Sequence, residues 1–312
     1  MTSRIVVFGG RGFVGSAIVR GLPAGVVAPP RSEVDLTSAE QIRGILRPDD
    51  VVINAAGYAS ATDRSPAGLA RLRRDNVEAV TMLADAAASA GASELIHISS
   101  VAAMGQRSGS NLVETDLAPP RSPYGQSKRD AELALAGYGD RLPITILRPT
   151  SIFGEERGLT AVLCRIAGLP IIPMPAGGRA LLPLSYVGNL VEAVRLTIGR
   201  ATCHGRTFIV GDNESYALGE VIKSLAGALG HERRPAVAVP RRILSALGGI
   251  ESRVAAVRGR SPLLDPIRIE TLTSSVSYST RSFRDATGFE PPYTLEAALE
   301  RVAEAYRRRR VA

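Results

Sequence analysis

The stretch IVVFGGRGFVGSAIVRGL, residues 5 to 22, sets the strongest limit on how this chain can fold. The apolar run Ile5 to Phe8 reads as a short strand buried on both faces, and a helical pattern begins at Val14. Between them, Gly9, Gly12 and Gly15 fit GxxGxxG, while Gly10, Gly12 and Gly15 fit GxGxxG equally well. Glycine permits the tight turn, lets backbone approach a pyrophosphate, and brings the helix close against the strand. Phosphates then face the free amides and positive dipole end of the helix. A strand before and a helix after is the context a dinucleotide fingerprint needs, so Gly9, Gly12, Phe13 and Val14 head the candidate cofactor contacts.

The same rhythm continues. Val26 to Ala28, Val51 to Ile53, Leu95 to Ile98 and Ile144 to Leu147 read as further buried strands. Helical patterns lie between them over Val14 to Gly21, Ala39 to Leu46, Ala67 to Ala90 and Tyr124 to Leu135. Parallel strands need crossover helices, so this order predicts an α/β fold with a doubly wound, Rossmann-like parallel sheet. After about residue 155 the alternation breaks, with Pro and Gly clustered at 168 to 183. The expected division is a cofactor-binding domain over 1–155, to which 184–211 return with a strand at Arg206 to Val210. A smaller C-terminal substrate-binding lobe takes up 156–183 and 212–312.

Charge and composition remove other classes. Lys and Arg number 38 against 30 Asp and Glu, but the arginines are spread along the chain and aromatics are only 4%, so no nucleic-acid surface is expected. Cys164 and Cys203 form no CxxC or Cys/His cluster, and His97, His204 and His231 are dispersed, which argues against a metal site. The first residues hold too short an apolar run for a secretory leader, and no run reaches membrane-spanning length. The expectation is a cytoplasmic protein acting on a small molecule.

Only two of those 38 cations are lysines, Lys128 and Lys223. Lys128 stands four residues after Tyr124 in SPYGQSKRDAE. Ser122 is a good N-cap and Pro123 suits the first helical position, so Tyr124 and Lys128 lie one turn apart on one face. A phenol with a pKa near 10 is a poor base, and a fixed ammonium beside it is expected to draw it toward the working range. Lysine offers a compact charge with three donors for ribose hydroxyls and a proton relay, which planar, permanently charged Arg cannot supply. Upstream, ISS places Ser100 at a strand's carboxyl end, where a hydroxyl can bond a substrate carbonyl.

The cofactor's identity turns on the segment GVVAPPRSEVDL. Arg31 lies nearest the strand end and suits the 2′-phosphate of NADP, whereas Glu33 keeps NAD open.

Taken together, GGRGFVG, Asp35-Leu36, INAAG, Asn76 in DNVEAV, ISS, YGQSK, LRPTSIFG and SYVGNLVEAV resemble the extended short-chain dehydrogenase/reductase superfamily. The resemblance implies Ser100, Tyr124 and Lys128 as catalytic residues. It also implies adenine contacts from Asp35 and Leu36, and a segment Ala55, Ala56 and Gly57 passing beside the cofactor. Asn76 joins these cofactor contacts, and Pro149 faces the nicotinamide. APPRSEVDL looks like the NADP-binding version seen in GDP-fucose synthases. The second half, with RTFIVGDNESYALGEVIKSLAGALG and GFEPPYTLEAAL, is most similar to nucleotide-sugar 4-keto reductases and epimerases. Dehydratases of this group carry an Asp-Glu pair where Val101 and Ala102 stand, and the 3,5-epimerising synthases carry Cys at Val101, so both reactions are disfavoured. The arginine that relatives place before Asn189 is Leu182 here, which leaves Arg179, then Arg157, as candidates to meet a nucleotide diphosphate. A homodimer through the helix after Ser65 and the Tyr124 helix is implied in the same way.

Overall fold

A computed structural model describes residues 3–60, 63–106, 108–155, 159–212, 215–257 and 266–311. Five strands, Ile5–Phe8, Val51–Asn54, Glu94–Ile98, Ile144–Pro149 and Thr207–Val210, lie side by side in that order, and each neighbouring pair is parallel. Residues alternate between the two faces, so each face needs its own apolar cover. On one face Val6, Phe8, Leu95, Ile144 and Ile146 pack with Leu83 and Leu135 from the crossover helices. Val7, Ile53, Ile96, Leu147 and Phe208 fill the other face with Ile18, Leu190 and Phe283. This is the doubly wound sheet expected from the alternation of short apolar runs and helical patterns.

One local expectation is corrected and one refined. Val26 to Ala28 is not a full strand but a single parallel bridge, Val27 to Val6. It makes two hydrogen bonds, Val7 N to Val27 O at 2.8 Å and Val27 N to Ile5 O at 2.9 Å. Pro29 and Pro30 follow and have no amide to continue the ladder. The helical stretch over Ala67 to Ala90 is present without a break, but with a widened π turn over Arg74–Glu78 between Pro66–Arg73 and Ala79–Ala90. Such turns recur at functional sites because they re-aim one side chain. Here that side chain is Asn76.

A third apolar cluster lies outside the sheet and joins Phe153, Leu163, Met174, Leu182, Leu184, Val221, Leu225 and Leu299. Asn189 ties this region to the C-terminal segment. Its amide donates to Asp212 at 2.7 Å and to the Tyr293 carbonyl at 3.0 Å, and its oxygen accepts from Tyr293 N at 3.0 Å. Among the described residues no helix is long and apolar enough to cross a membrane, and no group of three or more His, Cys, Asp or Glu could hold a metal.

Candidate active site

The glycine turn is built for close backbone approach. Gly9 has φ +83°, and a Cβ there would stand 2.5 Å from Ala56 N. A Cβ on Gly15 would stand 2.1 Å from the Gly9 carbonyl oxygen. The helix Phe13–Gly21 begins at Gly12 with no side-chain cap, so no side chain of its own occupies the amides of its first turn. A cleft of about 320 Å³ runs from this turn along the sheet's carboxyl edge. Of the expected cofactor residues, Gly9, Gly12, Arg31, Asp35, Leu36, Ala55, Ala56 and Gly57 line it. Phe13 and Val14 instead pack into the cores, leaving only their backbone at the helix start.

Asn76 is fully buried and holds the neighbouring loop. Its oxygen accepts from Tyr58 N at 2.7 Å, and its nitrogen donates to the Tyr58 carbonyl at 3.0 Å and to Ser127 Oγ at 2.9 Å. Asn54, not singled out in the sequence, accepts from Ala56 N at 3.0 Å and braces the same loop. Arg31 is exposed, 3.5 Å from Asp75, whose carboxylate also receives Arg71 and Arg74.

Ser100, Tyr124 and Lys128 come together at the junction of helix and sheet. Ser122 caps the helix Pro123–Leu135, accepting from Gly125 N at 3.0 Å, with Pro123 in its first turn. Gly125 serves a purpose that spacing alone does not show. A Cβ there would lie 2.5 Å from the Ala102 carbonyl oxygen, so only glycine lets this helix press against the Ser100 turn. Ser100 caps that turn by accepting from Ala102 N at 3.1 Å, and its hydroxyl is near enough to the Tyr124 phenol to pull its pKa down. Lys128 is 5% exposed, with Nζ donating to the Ile98 carbonyl at 2.8 Å.

The two titratable groups of the site are shifted in opposite directions. Burial pushes the Tyr124 phenol up, and the Ser100 hydrogen bond only partly opposes this. Burial also pushes Lys128 down to about 8, against the attraction of Glu132.

A second cleft, of about 240 Å³, opens beside Ser100. Arg121, Ser122, Thr150, Ser151, Leu181, Leu182, Pro183 and Tyr278 are among its walls. Arg179 is exposed and lies outside this lining, while Arg121, which the sequence reading passed over, is within it. The only available signal was its place just before the Ser122 cap. Arg157 falls outside the described residues. Pro149 is buried at the end of its strand, next to Thr150 in the cleft.

Fold and site define an NAD(P)-dependent enzyme of the short-chain dehydrogenase/reductase type. The chain belongs to the NAD dependent epimerase/dehydratase family, whose model matches residues 5–211. It is similar to a UDP-glucose 4-epimerase of Vibrio cholerae, 25% identical over 98% of this chain and 96% of that protein. A dTDP-4-dehydrorhamnose reductase of Burkholderia thailandensis is 36% identical, but over 44% of this chain and 46% of its own length. The solved structure of RMD from Pseudomonas aeruginosa complexed with NADPH shares the fold with TM-score 0.74 at 20% identity, covering 98% of this chain and 99% of that one.

Proposed function

We propose that the protein is an NADP-dependent reductase of a keto group on a nucleotide-linked 4-keto sugar. The observation that carries this reading is geometric: Tyr124 and Lys128 stand one turn apart on one helix, beside a Ser100 that lines the second cleft. A bound nicotinamide supplies the hydride. Ser100 orients the substrate carbonyl oxygen, Tyr124 gives that oxygen its proton, and Lys128 holds the ribose and the relay. A general acid must hold its proton until the hydride arrives, which suits a phenol raised by burial. In an epimerase cycle the same group must first stand as phenolate to take the substrate hydroxyl's proton and then return it, which a raised phenol pKa disfavours. Tight retention of the nicotinamide on the purified protein would instead favour the 4-epimerase.

The preference for NADP rests on Arg31, which lines the groove beside Asp35 and carries only an exposed, long ion pair. Arg31→Ala is expected to weaken NADPH binding by about 1–3 kcal/mol, the range for charge-assisted bonds, and to leave NADH nearly unchanged. Equal losses for both cofactors in a fluorescence titration would remove Arg31 from the 2′-phosphate.

For the substrate, a diphosphate needs at least one fixed arginine, and Arg121 is the one in the cleft wall. Calorimetric titration of the NADP-loaded protein with UDP, GDP and TDP should show binding of one of them. Arg121→Ala should weaken it about tenfold, and Arg179→Ala should not. A second reading, a small apolar ketone, is favoured by Leu181, Leu182 and Pro183 in the same wall. Absence of any nucleotide binding would select it. The homodimer belongs to this proposal as well, through Leu69, Met82 and Leu133, which are exposed on the expected helices.

A further inference from the structure

A buried charge cluster lies directly behind the catalytic pair. Tyr124, Lys128 and Glu132 occupy positions i, i+4 and i+8 of one helix and so share a face. Arg148 Nε donates to the two Glu132 carboxylate oxygens at 3.0 and 3.2 Å, and its Nη2 donates at 2.7 Å. The Ser99 hydroxyl donates to the same carboxylate. Arg148 Nη1 donates to the Glu114 carbonyl at 2.8 Å, and both charged side chains are 8% exposed.

Burying two charges costs several kcal/mol per ion, and apolar residues of similar volume are often as stable or more so. Packing alone does not account for such a pair. Its connections do: Glu132 follows Lys128 by one turn, Ser99 adjoins Ser100, and Arg148 adjoins Pro149. One carboxylate thus ties together the three elements that carry the site.

We propose that Glu132, gripped by Arg148 and Ser99, is a positioning residue that keeps Lys128 a directed ammonium and the Tyr124 helix in register with the Ser100 turn. This rests on Tyr124 and Lys128 being the catalytic pair. The groups facing Lys128 are Tyr124 and Glu132 on its own helix, His97 on the adjacent strand, and Arg148 behind Glu132. His97 is held neutral by burial and by the Lys128 charge. Burial lowers Lys128, and Glu132 is the charge that opposes it. Removing that carboxylate leaves desolvation unopposed and frees the Arg148 charge, and both favour the neutral amine.

The chain's two lysines make a direct test possible. Protein labelled with ¹³C at lysine Cε should show two resonances, with Lys223→Arg assigning them. Lys128 should titrate near 8 in the wild type and about one pH unit lower in Glu132→Gln. Because that variant strands a buried Arg, the neutral pair Glu132→Gln with Arg148→Gln is measured beside it. It should shift Lys128 in the same direction by less. Folded variants that titrate like the wild type would overturn the proposal, as would loss of folding in both, which would make the cluster a folding element only. The underlying reading fails separately: Lys128→Arg binding NADPH with unchanged affinity would remove Lys128 from the site, whatever the titrations show.

Discussion

Tyr124→Phe should lower the rate of NADPH-dependent keto reduction by about 10²–10⁴-fold, the usual share of a positioned general acid, while NADPH affinity changes less than about twofold. The ring keeps its packing against the helix start, so only the transferable proton is lost. The phenol has no substitute at that point, because the neighbouring Ser100 hydroxyl is a far weaker acid. Stopped-flow NADPH oxidation with a panel of nucleotide-linked 4-keto sugars gives the rate, and fluorescence titration gives the affinity. Lys128→Arg should damage both quantities. The guanidinium is larger and planar, and Lys128 is buried with Nζ held on the Ile98 carbonyl, so its extra atoms have no open space. A variant of either residue that turns over near the wild-type rate would refute the assigned mechanism.

Gly9→Ala should abolish measurable NADPH binding, with affinity down more than about 100-fold, and should lower the melting temperature. Two costs add. A non-glycine residue at φ +83° carries about 1–2 kcal/mol of backbone strain. The new Cβ would also meet Ala56 N at 2.5 Å, and neither backbone segment is free to retreat, since Asn54 and Asn76 both brace that loop. Relief therefore comes from displacing the turn, which moves the helix amides away from the phosphates. Gly44→Ala makes the control, because its Cβ would meet nothing within 4 Å. Wild-type affinity in Gly9→Ala would show that the turn does not cradle the cofactor.

What the residue order determined by itself is local. Strand, glycine turn and helix at 5 to 22 were readable because each part is a short-range rule of period, φ and capping. Ser122, Pro123, Tyr124 and Lys128 were readable because helix geometry places i and i+4 on one face. The parallel order of the sheet followed from alternation, since two-sided burial and crossover helices leave few other topologies. Departures arose where long-range packing sets the energy. Val26 to Ala28 has strand composition, yet the following prolines allow only one bridge. The π turn that turns Asn76 inward depends on its bonds to Tyr58, 18 residues away, and to Ser127, 51 away. Glu132 and Arg148 meet across elements, so neither spacing nor charge counting marks them. Arg121 rather than Arg179 stands in the cleft wall, because the wall is assembled from separate segments of chain. Tyr124 illustrates the division most clearly: spacing put the lysine one turn from it, but burial, which exists only once helix and sheet have closed on each other, pushes its pKa up.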